Sequence, residues 1–103
     1  MVTVVTGKGF EEALSAPVAV VDFSATWCGP CKMLAPVIHE LSDEMTGIAF
    51  FNVDVDDDMD IAEKYGIQSV PTVIVLKNGE ETARTLGFKP KAAYKAFFEA
   101  NAR

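Results

Sequence analysis

Apolar positions along the chain fall into short blocks separated by glycine and proline, and their period switches between two and about three and a half. Residues 2–5 (VTVV) predict a short strand, and residues 8–14 (KGFEEAL), with Phe10 and Leu14 four apart, predict a short helix. After Pro17, residues 18–23 (VAVVDF) form a nearly continuous apolar run, the pattern of a central strand covered on both faces. A helix is expected to start within residues 27–32 and to run to about residue 45. Met33, Leu34, Val37, Ile38 and Leu41 repeat there at spacings of three and four. Pro36 lies inside it and predicts a kink, because proline offers no amide hydrogen and crowds the carbonyl four residues back. Residues 48–55 (IAFFNVDV) predict a third strand, and residues 59–65 a short helix capped by Gly66. Residues 72–76 (TVIVL) predict a fourth strand, joined by Lys77-Asn-Gly-Glu to a fifth at residues 81–86. Asn78-Gly79 between two strands is a strong hairpin signal. Residues 91–102 close the chain as an amphipathic helix with Ala93, Phe97 and Phe98 inward.

The order β-α-β-α-β-α-β-β-α predicts an α/β fold. Strands joined through helices are expected to pair in parallel and the hairpin to add an antiparallel edge. The result is a single mixed sheet of about five strands with helices on both faces. A length of 103 residues predicts one domain spanning 1–103. Fifteen Asp and Glu against nine Lys and Arg give a formal charge of -6, which repels phosphate backbones and anionic membranes, so no nucleic-acid or membrane partner is expected. The longest apolar run, residues 16–21, is far short of the ~20 residues that span a bilayer. No basic leader precedes it, and a soluble cytoplasmic protein is expected.

Two cysteines are too few for a disulfide scaffold, but their placement carries chemistry. Trp27-Cys28-Gly29-Pro30-Cys31-Lys32 follows a buried strand and opens a helix. Unpaired amide hydrogens and the helix dipole favour an anion there, so Cys28 is expected to ionise more readily than a free thiol near ~8.5. Cys31, one turn in, is expected to be more buried and less acidic. Cys28 would then attack a substrate disulfide as thiolate, and Cys31 would displace the substrate to leave an intramolecular disulfide. Gly29 and Pro30 keep the loop small and stiff. A metal half-site is the competing reading, but four ligands are needed and the chain offers one C-x-x-C and a single His39, so no metal is expected. His39 reads as an ordinary, partly exposed side chain.

Asp22 is a carboxylate within an apolar strand, where burial of charge is costly. Either the strand ends there and Asp22 is wet, or Asp22 lies beneath the cysteines with a raised pKa and relays a proton for Cys31, directly or through water; the apolar flanks favour the second. Pro71, just ahead of an apolar strand, belongs at a strand start. The run of aspartates at 54, 56 and 58 fits the opening of an EF-hand loop, but Met59 and Tyr65 stand where the loop needs glycine and glutamate. A solvated loop favouring the next helix N-terminus is expected instead.

Asp22-Phe-Ser-Ala-Thr-Trp-Cys-Gly-Pro-Cys-Lys, Tyr65-Gly-Ile-Gln-Ser-Val-Pro-Thr, Lys77-Asn-Gly and Gly87 together resemble the thioredoxin family over essentially the whole chain. The resemblance implies a thioredoxin fold and a reducing protein-disulfide oxidoreductase. Cys28 would be the nucleophile, Cys31 the resolving thiol, Asp22 the buried carboxylate and Pro71 a cis-proline facing the disulfide. Trp27, Gly29, Pro30, Val70, Pro71, Gly87 and Phe88 would form the substrate-binding surface. It implies no cofactor beyond the cysteine pair. The implied partners are thioredoxin reductase drawing on NADPH and disulfide-containing protein substrates, with the chain a monomer. Ser24 follows Phe23 where many members carry a second tryptophan. Phe50 stands where many place a lysine near the buried aspartate, so Asp22 is expected to feel burial with less compensation.

Two other functions compete with this one. A binding subunit could use the same surface to clamp a partner without turnover, and would then keep its role after both cysteines are changed to serine. An oxidising foldase would need a more oxidising potential and an export signal; the Gly-Pro dipeptide opposes it.

Overall fold

The computed structural model describes residues 1–102. Its elements run β1 (Val2–Val4), a 3-10 turn (Gly7–Gly9), α1 (Phe10–Ser15), β2 (Val18–Ser24), α2 (Gly29–Glu44), β3 (Ala49–Asp54), α3 (Met59–Lys64), β4 (Thr72–Lys77), β5 (Glu80–Leu86) and α4 (Lys91–Asn101). One five-stranded sheet has the order β1-β3-β2-β4-β5.

β3 pairs in parallel with both β1 and β2, as helix-linked strands should. β4 departs from that expectation: it follows α3, yet it lies antiparallel to β2. A parallel return requires the connection to carry the chain back along the full strand length. The single short helix α3 does not do this, so β4 runs the other way on the far side of β2. β4 and β5 form the expected hairpin. Asn78 and Gly79 both adopt positive φ, 52° and 82°, the turn whose twist matches paired strands.

The alternation of β2 divides the core. Val20, Asp22 and Ser24 point to one face; Ala19, Val21 and Phe23 point to the other. The first face packs Val20, Phe50, Val73 and Val75 against Leu34, Ile38 and Leu41 of α2 and Tyr94 and Phe98 of α4. The second packs Val21, Phe23, Phe51, Val53, Ile74 and Leu76 against Phe10 and Ala13 of α1. Burial on both faces explains the unbroken apolar run, and it leaves Asp22 in the middle of a strand covered by helix.

In α4 the inward set differs from the expected one. Ala93 is exposed, and Tyr94 and Phe98 are fully buried, with Phe97 partly so. The four-residue spacing of 94 and 98 keeps both rings on one stripe, where they meet each other and Phe50. Tyr94 can be inward because its hydroxyl donates to the Gly87 carbonyl at 2.7 Å. α2 continues through Pro36 as one helix.

Candidate active site

Cys28 sits at the cap position of α2, outside the helical backbone region, with Pro30 in the first turn. The geometry follows from the local sequence: β2 ends at Ser24, the turn at residues 25–28 reverses the chain, and proline pre-sets the backbone for the helix. The backbone amide of Cys31 donates to Cys28 Sγ at 3.2 Å. The cap that serine or aspartate usually provides is here a sulfur, so an amide hydrogen is already aimed at the atom that carries negative charge in a thiolate. Cys28 and Cys31 are joined as a disulfide, with Cα atoms 5.2 Å apart.

The expected difference in burial between the two cysteines is not present, since each retains 4% of its exposure. Cys28 is covered by its own partner and by the loop before β4, where the Val70 carbonyl oxygen lies 3.7 Å from its Sγ. The Val70–Pro71 peptide is cis. The Gly87 amide donates to the Pro71 carbonyl at 2.9 Å, which ties the end of β5 to this loop. Gly87 itself has φ of 85°, a conformation side chains rarely adopt. Trp27, Gly29, Pro30, Val70, Pro71 and Gly87 therefore belong to three segments that meet around the disulfide. Trp27 is 69% exposed and Phe88 39%, so large apolar surface remains open beside a buried sulfur pair.

Asp22 is 3% exposed, which removes the wet alternative. Burial raises its pKa to about 7, while hydrogen bonding from the Asn52 side chain pulls the other way. Asp22 and Cys31 line the same solvent-open cavity of about 250 Å³ between the β1-β3-β2 end of the sheet and α2. The nearby Tyr94 hydroxyl is pushed up to about 12, mainly by burial and also by the charge of Asp22.

Comparison with known proteins gives the same answer as the geometry. The thioredoxin family model matches residues 1–100. This chain belongs to the thioredoxin family. It is 47% identical over 89 residues to a thioredoxin of Bacillus subtilis, covering 85% of this chain and 86% of that protein. It is 41% identical to a thioredoxin of Chlamydia trachomatis, covering 88% and 89%. Among solved structures, Plasmodium falciparum thioredoxin superposes with a TM-score of 0.90 at 39% identity, covering 95% of this chain and 97% of that one. The chain is a thiol-disulfide oxidoreductase, a protein-disulfide reductase whose redox centre is the Cys28–Cys31 pair.

Within this thioredoxin fold two contacts escaped sequence reasoning. The Trp27 indole Nε1–H donates to Asp56 Oδ2 at 2.9 Å, fixing the ring beside the active site. Asp54 Oδ1 in turn accepts the amides of Asp56 and Asp57 and shapes that loop. The acidic run thus holds a site residue, and nothing in its spacing signals which aspartate reaches the tryptophan. The second is Asn52, the register partner of Asp22 across β2 and β3; Phe50, expected at the position beside the aspartate, instead pairs with Val20 and packs its ring on Phe98. His39 is exposed, as expected. Among the described residues, no group of three or more His, Cys, Asp or Glu is arranged to hold a metal, and no helix is long and apolar enough to cross a membrane.

Proposed function

We propose that the chain acts as one domain and reduces protein disulfides with Cys28 as nucleophile, Cys31 as resolving thiol and Asp22 as proton relay. The observation that carries this reading is the Cys31 amide directed at Cys28 Sγ, next to a second sulfur whose cavity contains a carboxyl with a pKa of about 7. In the reduced protein, the Cys28 thiolate attacks one sulfur of the substrate disulfide. A mixed disulfide forms and the other substrate sulfur leaves as a thiolate, which takes up a proton. Cys31 loses its proton to the Asp22 carboxylate, and its thiolate then attacks Cys28 Sγ. The intramolecular disulfide forms and the second substrate sulfur departs with the bonding electron pair. Two electrons have passed from the two protein thiols to the substrate. A carboxyl with a midpoint near neutral pH can both take that proton and return it, which suits a group that must reverse on every cycle.

Trp27, Gly29, Pro30, Val70, Pro71 and Gly87 form the surface on which a whole protein docks around its disulfide, because the sulfurs are too buried to be reached except from that side. A reductase of the thioredoxin type, drawing on NADPH, restores the dithiol, and the compartment is the cytoplasm, where protein disulfides are kept reduced. The protein works as a monomer. The test is insulin reduction in the presence of NADPH and thioredoxin reductase. Catalytic NADPH oxidation with precipitation of the freed insulin chain is expected. Activity with dithiothreitol but none with the reductase would overturn the recycling route, and no activity with either would overturn the reading as a whole.

A further inference from the structure

The loop that carries Val70 and Pro71 runs from the end of α3 to the start of β4, and the β5 segment holds it at both ends. At the far end the Gly87 amide donates to the Pro71 carbonyl. At the near end Arg84 Nη2 donates to the Tyr65 carbonyl at 2.9 Å. Tyr65 is the C-cap residue of α3, where carbonyls lack partners within the helix and a cation is favoured. Its ring is held as well, with centroids 5.7 Å from Phe10 and 6.0 Å from Phe23. The amides of Gly66 and Ile67 bond back to α3, whereas Arg84 ties that turn to the sheet.

An irregularity in β5 orients the guanidinium. The β4–β5 register steps from Ala83 opposite Val75 to Glu81 opposite Leu76, which leaves Thr82 as an extra residue, a β-bulge. In a regular strand, residues three apart point to opposite faces; the bulge brings Glu81 and Arg84 to the same one, beside Leu76 and Ile74. Arg84 Nε then donates to Glu81 Oε2 at 2.5 Å and Nη2 to Glu81 Oε1 at 2.7 Å. The second Nη2 hydrogen is the one that reaches Tyr65, so the two-point pairing with the carboxylate sets its direction. The Arg84 and Glu81 side chains are 33% and 26% exposed, and water screens the pair only in part.

Resting on the reading of Val70 and Pro71 as docking surface, we propose that Arg84, oriented by Glu81 across the bulge, is a positioning residue for substrate binding. It fixes the start of the 65–71 loop to the sheet, so that Val70 and Pro71 stand against the sulfur pair before a substrate arrives. The Val70 carbonyl already lies 3.7 Å from Cys28 Sγ, and a docking edge set in advance need not be ordered on binding. Loss of the tie weakens docking. It spares the sulfur chemistry, which is built at the start of α2.

The test uses Arg84→Met, which keeps an apolar stem over the strand and removes the bonds to Glu81 and Tyr65. With dithiothreitol as reductant, the KM for insulin is expected to rise about 3- to 10-fold while kcat stays within about twofold, the pattern of lost binding rather than lost chemistry. The rate with a small aromatic disulfide, which needs no protein docking, should equal that of wild type. Amide exchange followed by NMR should quicken at residues 66–70 and stay unchanged in β2 and α2. An unchanged KM, or faster exchange throughout the sheet together with a lowered kcat, would overturn the proposal. Glu81→Gln leaves the guanidinium but removes its charged partner, and serves if Arg84→Met does not fold. It should give a smaller rise in KM, and no rise there counts against the proposal. Val70→Asp alters the docking loop directly and separates the two claims. If it leaves the KM for insulin unchanged, the docking reading fails; a KM raised in Val70→Asp but not in Arg84→Met sinks only the role of Arg84.

Discussion

Cys28→Ser is expected to lose disulfide-reductase activity by roughly 10³-fold or more while the reduced fold is retained. A serine hydroxyl at the cap of α2 still accepts the Cys31 amide, so the helix start is preserved. It cannot form a mixed disulfide, and every later step depends on that bond. The comparison belongs between reduced proteins, because the wild-type disulfide closes a four-residue loop and constrains the unfolded chain by about 2 kcal/mol in the entropy picture. Insulin reduction by dithiothreitol reads the loss, and circular dichroism checks the fold. A variant that kept more than a tenth of the activity would remove Cys28 from the nucleophile's role.

Asp22→Asn is expected to make the oxidised protein more stable at pH 8 and no more stable near pH 4. The Asp22 pKa is about 7 in the folded chain against an ordinary value of 3.8. Below pH 4 the carboxyl is neutral in both folded and unfolded states and contributes no difference. Between about pH 4 and 7 the unfolded chain gives up its proton while the folded chain keeps it, so stability falls as pH rises; above 7 the loss is complete and constant. The full cost is about 4 kcal/mol at most, so a gain of roughly 2 to 4 kcal/mol is expected for the neutral isostere. Denaturant unfolding at the two pH values measures it. Equal stabilisation at both would mean that charge is not the cause. The same variant is expected to slow the Cys31 step, so stability is given up for a proton acceptor at a site where an apolar strand would otherwise suffice.

Much of this was legible because the residues concerned break a local pattern. An acid within residues 18–23 stands out against an apolar run, a C-x-x-C with Gly-Pro between strand and helix has one sensible geometry, and Asn78-Gly79 fixes its turn through positive φ. The nearly unbroken apolar run at residues 18–23 likewise marked β2 as a strand covered on both faces. The features that the pattern missed depend on placement between elements. The direction of β4 is set by how far α3 and its loops carry the chain. The inward position in α4 belongs to Tyr94 because a carbonyl at Gly87 is within reach of its hydroxyl, which no pattern in residues 91–102 encodes. The burial of Cys28 comes from the Val70 loop, distant in sequence. Asn52 and Asp56 look like ordinary polar residues in a strand and an acidic loop until register and folding bring them to Asp22 and Trp27.

The order of attack is tested most directly by trapping its intermediate. Reduced Cys31→Ser protein, mixed with a disulfide-bonded protein substrate and quenched with a thiol-alkylating reagent, should accumulate a covalent one-to-one adduct. Peptide mapping by mass spectrometry should locate its disulfide at Cys28. Wild-type protein under the same conditions should show little adduct, because Cys31 releases the substrate. Failure of the Cys31→Ser protein to form any adduct, with Cys28 free and reduced at the start, would contradict the assignment of Cys28 as nucleophile and Cys31 as resolving thiol.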